Sequence, residues 1–251
     1  MRVDFITIFP GLISGTLEYG IVHQSVEKRL VEIAVRDLRD FTKDRHRTVD
    51  DISYGGGPGM VFKPEPLCDA LEAIRVPGSL TIMPGPQGSR FDRDAARDLA
   101  SFQHLIFVCG RYEGIDERAM EMVDREYSIG DFVSMGGELP ALLMLEAILR
   151  FVPDVVKEVG SVETDSFEES LLDYPHFTRP AEFRGMKVPD VLLSGNHEQI
   201  RKWRRKMRLL RTKERRPDLL VKAKLTDEDR KLLAEIEKDL STEVQKTRNR
   251  K

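Results

Sequence analysis

The chain has 251 residues, 40% of them hydrophobic and 33% charged, with a formal net charge of −3. A chain of that size buries roughly 70–75% of its extended surface on folding, so it needs no staple, and its composition excludes a disordered or low-complexity protein. Its two cysteines, Cys68 and Cys109, make neither a disulfide framework nor a zinc ligand set and read as small buried side chains.

In chain order, Arg2–Ile8 is the first strand candidate. Its apolar run is too short for a signal peptide, and no later stretch reaches the ~18 apolar residues of a membrane span. A cytoplasmic protein with no membrane partner is therefore expected. Gly20–Leu30 has helical spacing and Val31–Val35 reads as a strand. His46 to Asp51, followed by Tyr54-Gly55-Gly56-Gly57-Pro58-Gly59-Met60, reads as a long loop, either functional or a flexible surface connection. Pro64–Arg75 is helical, Ser79–Met83 a strand, Asp92–Ser101 a helix with Asp92 as its cap, and His104–Cys109 a strand. The alternation predicts an α/β domain on a largely parallel sheet.

Leu139–Phe151 is a helix of another kind. Ten of its thirteen residues are apolar and point all round, which predicts burial in a core or at a subunit interface. Ser161–Asp173, rich in Ser, Asp and Glu, reads as an exposed linker with room for one short helix. Beyond Pro180 the chain turns helical and basic and ends in an amphipathic helix over about Thr226–Leu240. Two domains are expected, 1–160 and 178–251, joined by 161–177.

Three glycine-rich loops follow strand candidates or lead into the apolar helix: Pro84-Gly85-Pro86-Gln87-Gly88, Gly110-Arg111-Tyr112-Glu113-Gly114, and Ser128 to Pro140. Ligands of open α/β sheets bind beyond the carboxyl ends of the strands, where glycine lets backbone approach a flat ligand. Each loop alone is an ordinary turn; three in succession suffice to enclose a nucleoside. Neither G-x-G-x-x-G nor the P-loop pattern is present, which excludes those two nucleotide-binding modes.

Charge is unevenly placed. From Arg201 to Arg216 ten of sixteen residues are Lys or Arg against the single acid Glu214, a segment of +9 that leaves −12 on the remainder. Helical spacing turns Ile200, Trp203, Met207 and Leu210 towards a core and leaves Arg201, Lys202, Arg204, Arg205, Lys206, Arg208 and Arg211 for phosphates. A solvated charged face is the plain alternative.

In order along the chain, HRTVDD…YGGGPGM, PQG, GRYEGIDER, SIGD…GGELP, DSF, PHFTRP, VP-x-VL-x-SG-x-H and IRKWR resemble the bacterial tRNA (guanine-N1)-methyltransferases that modify position 37. The resemblance spans nearly the whole chain, and GRYEGIDER with SIGD…GGELP is specific. It implies an N-terminal α/β domain with a deep trefoil knot, a small helical C-terminal domain that binds tRNA, and a homodimer whose active sites are shared between chains. It implies S-adenosylmethionine as methyl donor, held by Pro84, Gly85, Pro86, Gly110, Tyr112, Glu113, Gly114, Ile129, Gly130, Asp131, Phe132, Val133, Ser134, Gly136, Gly137 and Pro140. Met83-Pro84-Gly85, Phe132 and Ser134 depart from the usual family residues, changes that a site built on backbone contacts tolerates. Mg2+ is linked to the family, although no metal-ligand spacing supports a dedicated site.

Guanine N1 carries a proton at neutral pH and must lose it to accept a methyl group. By the resemblance, Asp165 of DSF is the general base; by spacing alone, Asp165-x-x-Glu168 is a capping box. Arg150 is expected to stabilise charge on O6, its alternative being an ion pair with Glu146. Glu113 is expected to orient the substrate, and His46 and Asp50 to touch the target nucleotide, with turn and surface roles as alternatives. Two other functions remain open: a knotted methyltransferase for another RNA target, and a non-catalytic RNA-binding protein.

Overall fold

Successive side chains of a strand point to opposite faces, and the most apolar strands divide two cores between them. In β1 (Arg2–Thr7) Val3 and Phe5 enter one core and Ile6 the other; in β6 (His104–Val108) Leu105 and Phe107 join the first, Ile106 and Val108 the second. Phe5 and Phe107 stack across the strand pair at 5.2 Å. Apolar side chains on both faces require cover on both, as parallel sheets do.

The computed structural model describes residues 1–156 and 165–248. The chain divides into two compact units, Met1–Lys157 and Glu158–Lys251. In the first, β2 (Glu32–Asp37), β1, β6, β5 (Ser79–Arg90) and β7 (Arg125–Ser128) lie in that order, every pair parallel. Helices α1 (Pro10–Ser14), α2 (Gly20–Glu27), α4 (Arg93–Leu99) and α6 (Glu138–Leu149) fill the first core, whereas α3 (Pro64–Ile74) and α5 (Glu117–Met120) cover the second. The α/β expectation and its parallel sheet hold.

Four local expectations change. The long loop contains a hairpin, β3 (Asp50–Ile52) and β4 (Met60–Phe62), paired antiparallel. Strand β5 runs on through the expected Pro84–Gly88 turn, with an irregularity between Pro84 and Ser89 where it pairs with β7. A Cβ at Gly88 would lie 2.3 Å from the Glu126 carbonyl carbon, so only glycine allows that approach. Helix α6 is not buried all round: Leu139 is 66% and Leu143 53% exposed, and Arg150 at its C-terminal cap is exposed. Leu171, in the expected exposed linker, is fully buried against Leu209 and Ile236.

In the second unit a short 3-10 turn (Glu168–Ser170) precedes the small hairpin β8 (Glu182–Phe183) and β9 (Met186–Lys187), then come α7 (Asp190–Leu193), α8 (His197–Arg215), α9 (Pro217–Lys222) and α10 (Asp227–Arg248). Thr226 and Asp229 cap α10 reciprocally, the Asp229 amide donating to Thr226 Oγ1 at 3.1 Å and the Thr226 amide to Asp229 Oδ2 at 2.9 Å. Among the described residues no helix is long and apolar enough to cross a membrane.

Candidate active site

The glycine loops converge. A cavity of about 300 Å3, at the carboxyl ends of β6 and β7 and beside the irregular stretch of β5, is walled by Met83–Pro86, Gly110–Ile115, Tyr127–Gly130, Phe132–Gly137 and Pro140. Every residue expected to hold the methyl donor lines it except Asp131, which is exposed beside it. Met83, Arg111, Ile115, Tyr127, Ser128 and Met135 line it as well.

Backbone proximity shapes these walls. The Gly137 amide donates to the Gly110 carbonyl at 2.9 Å, and a Cβ on Gly137 would meet Cys109 Cα at 3.0 Å and the Gly110 nitrogen at 3.1 Å. Gly114 stands at φ +130°, in the region that L side chains rarely adopt. Such a cradle presents peptide amides and carbonyls to a flat, polar ligand and fits a nucleoside.

Beneath the cradle lies a carboxylate that sequence reasoning missed. Glu138, with no exposed surface, opens α6 and accepts Thr7 Oγ1 at 2.7 Å and Arg111 Nε at 3.0 Å. Thr7 Oγ1 in turn accepts the Phe9 amide at 2.9 Å, and the Arg111 guanidinium lies over the Phe9 ring, 4.5 Å from its centre. One buried acid thus joins the end of β1, the Gly110–Gly114 loop and the start of α6. The signal was a lone acid in the first turn of an apolar helix, with an arginine in an adjacent glycine loop. Burial, and then Glu138, push the neighbouring Cys109 thiol well up, so it stays protonated and inert.

The hairpin docks on the same loop. The Phe62 amide donates to Gly114 O, the Glu113 amide to Met60 O and the Asp116 amide to Phe62 O, each at 3.0 Å. Tyr112 stands edge-on to Phe62 at 5.9 Å. Burial, then the nearby Asp50 carboxylate, push its phenol above the usual range. Asp50 and Glu113 therefore flank one loop. His46 lies apart, in an exposed turn where Asp44 Oδ1 accepts its amide at 2.8 Å.

A match to the family model described as "tRNA (Guanine-1)-methyltransferase TrmD" covers residues 1–222. The chain is 50% identical to the tRNA (guanine-N(1)-)-methyltransferase of Dictyoglomus turgidum over 97% of its length and 100% of the relative's. It is 52% identical to that of Geobacter sulfurreducens over 95% and 99%, and 49% identical to that of Thermosipho africanus over 97% and 100%. The chain belongs to the tRNA (guanine-1)-methyltransferase family.

A methyltransferase of this family requires a methyl donor, and the remaining candidates have to be placed around that need. Arg150 caps α6 in the first unit, whereas Asp165 is half-buried in the second. The expected helix cap at Asp165 does not form as drawn: the short 3-10 turn Glu168–Ser170 starts from Phe167 and has no side-chain cap. Phe167, Glu169 and Ser170 all have positive φ, at 76°, 55° and 58°. Three such residues in a row of four are costly and typical of functional segments. Among the described residues no group of three or more His, Cys, Asp or Glu is placed to hold a metal.

Helix α8 is less uniformly basic on its surface than its sequence. Arg205 is paired with Asp229 and Glu169, Arg201 with Glu198 and Glu228, Lys206 with Asp239, and Lys213 with Glu237. Arg208, expected to face phosphate, is only 7% exposed and donates to the Glu168 carbonyl at 3.1 Å. Burial, then Arg205, push its guanidinium below its usual value. The buried apolar residue of the helix is Leu209, while Trp203 is half-buried with its ring 6.3 Å from that of Phe177. Lys202 lies near Glu198, and Arg204 remains exposed over the Tyr174 ring.

Proposed function

We propose that this protein transfers a methyl group from S-adenosylmethionine to N1 of guanosine at position 37 of tRNA, in the cytoplasm. The cavity walled by three glycine loops carries the reading, joined to membership of a family whose relatives are named as tRNA (guanine-N(1)-)-methyltransferases. Pro84–Pro86, Gly110, Tyr112–Gly114, Ile129, Gly130, Phe132–Ser134, Gly136, Gly137 and Pro140 hold the donor, through backbone more than side chains. Bound there, S-adenosylmethionine supplies a methyl group already activated on a sulfonium.

The chain's own residues then have to make N1 nucleophilic. Asp165 accepts the N1 proton, leaving an electron pair on N1 and charge shared with O6. Arg150 meets that charge with its planar fork. Glu113, fixed on its peptide side by β4, orients the base, and Asp50 and His46 help to hold the nucleotide. The cluster of left-handed residues after Asp165 supports a positioned segment. The exposed cations of α8, chiefly Lys202 and Arg204, add phosphate contacts that position RNA without reading its sequence.

The first unit is taken to be a knotted domain, and the domain division is taken as 1–160 and 178–251 around a connecting segment. Residues 157–164, which include the start of that segment, fall outside the described residues. The open face of α6, with Leu139 and Leu143 at one turn's spacing before Arg150, supports a homodimer in which each site draws on both chains. Mg2+ enters as an accessory ion without a dedicated protein site.

Methyl-labelled S-adenosylmethionine and unmodified tRNA with guanosine at position 37 test the reading. Label is expected as 1-methylguanosine, with kcat falling about 10²–10⁴-fold in Asp165→Ala while tRNA affinity holds. Label in another nucleoside moves the protein to a sister specificity. Tight tRNA binding without label, and without affinity for the donor, makes it a non-catalytic RNA-binding protein.

A further inference from the structure

A second cavity, of about 340 Å3, opens in the C-terminal unit among Tyr174, His176, Phe177, Arg179, Leu192 and Arg204. It lies outside the core of that unit, which centres on Leu171, Leu209 and Ile236. Its residues come from Tyr174 and the PHFTRP segment, from α7 and from α8, and apart from the phosphate contact given to Arg204 the methyl-transfer reading uses none of them.

The walls are of three kinds. The Arg204 guanidinium stands over the Tyr174 ring, 5.0 Å from its centre, and the His176 ring lies 4.6 Å from the same tyrosine. Phe177 keeps 48% of its surface exposed beside Trp203. Leu192 and Ile200 supply aliphatic surface. The cations matter most: several other basic residues of α8 are matched by carboxylates, whereas Arg204 is turned onto an aromatic ring in the lining of the cavity, which exposed Arg179 also lines.

An exposed phenylalanine ring and a guanidinium plane backed by a tyrosine match what unstacked bases of single-stranded RNA seek: a face to stack on, with a second cation for the adjoining phosphate. A site for an apolar protein segment has no use for two arginines at its wall. The cavity is also tied to the DSF segment. Asp173, whose Oδ2 lies 2.8 Å from His176 Nε2, donates its amide to Ser166 Oγ at 3.0 Å, next to Asp165.

We propose that this cavity takes one unstacked nucleobase of the anticodon loop, a neighbour of the guanosine to be methylated, stacked on Phe177 and on the Arg204 guanidinium that Tyr174 backs, with its phosphate held by Arg179. The assignment rests on the tRNA reading above. It makes the PHFTRP segment a site where the enzyme measures loop conformation beside its target base.

The test uses the full-length protein, S-adenosylmethionine and a tRNA series with guanosine at position 37 and one abasic nucleotide at each other anticodon-loop position in turn. With wild type, one abasic tRNA is expected to raise KM about tenfold with kcat within twofold. Tyr174→Leu/Phe177→Leu should raise KM by a similar factor on intact tRNA and add nothing on that abasic tRNA; Tyr174→Phe should restore the wild-type KM. A wild-type enzyme indifferent to every abasic substitution overturns the proposal, however the variants fold. So do losses that multiply at every position, and a double variant whose defect is a change in oligomeric state, which makes the face a protein contact. Failure of wild type to methylate intact tRNA sinks the activity itself, a distinct result.

Discussion

Arg111 and Glu138 close a clasp beneath the glycine-loop cavity: the guanidinium of a glycine loop reaches a carboxylate with no exposed surface, Nε to Oε2 at 3.0 Å. The two residues are 27 apart in sequence, and Thr7 shares the same carboxylate from a third element. Removing one member of a buried charge pair strands the other. Glu138→Ala should therefore destabilise the protein by about 3 kcal/mol, read from the midpoint of urea unfolding. Glu138→Gln keeps an oxygen for Thr7 and should lose less. Equal and negligible losses in both would show that the clasp contributes nothing.

Gly137 sits where the backbone of β6's end passes closest. Its missing Cβ would meet main-chain atoms at 3.0 and 3.1 Å, which cannot swing aside as a flexible side chain can. Gly137→Ala is expected to cost about 1–3 kcal/mol by overpacking. The same strain should weaken binding of S-adenosylhomocysteine by tenfold or more in calorimetry. Unchanged affinity would place the ligand elsewhere.

Basic residues of α8 should separate into two groups. Arg208, buried and bonded to a main-chain carbonyl, is structural: Arg208→Ala should cost about 2 kcal/mol of stability and leave the salt dependence of tRNA binding unaltered. Lys202→Ala and Arg204→Ala should keep stability within about 0.5 kcal/mol and lower the slope of log affinity against log salt by about one each. The reverse pattern would restore the uniform basic face.

Asp229 gives an acid-dependent signature. Arg205's hydrogen bond comes first among the causes, and with the Thr226 amide and hydroxyl it holds the carboxyl at about 2, against 3.8 ordinarily. A depressed carboxyl stabilises the fold fully above its unfolded pKa, and that contribution is lost as pH falls through its folded one. Wild type should exceed Asp229→Asn by about 2 kcal/mol at pH 6–7. The gap should shrink from about pH 4 downward and vanish only below about pH 2. A constant gap down to pH 2.5 would refute the linkage.

Sequence period and glycine placement were enough for much of the first unit. The strands β1, β2 and β6 and the helices α2, α3 and α4 announce themselves because their apolar side chains recur at the period of the element they form, whereas the single turn of α1 is too short to show one. The Gly110–Gly114 and Gly136–Gly137 segments were legible as cavity walls for a related reason: glycine at a strand's end has few other uses. The hairpin of β3 and β4 was not legible. Its strands have three residues each, and Met60 and Phe62 hydrogen-bond to Gly114, Glu113 and Asp116, partners too distant in the chain for local pattern to reveal. Strand β7 hid likewise, with Tyr127 its one buried residue.

By itself, then, the sequence determined the parallel α/β unit, the order of the glycine loops and, through its motifs, the family. Those are properties of local period, local turn chemistry and linear order. Only the tertiary structure decided which charges serve the fold and which face outward. A helical wheel gives Arg204, Arg205 and Arg208 the same chemistry. Their fates differ because Asp229, the Glu168 carbonyl and the Tyr174 ring arrive from segments far apart in the chain, and a charge has no role until its partner is in place.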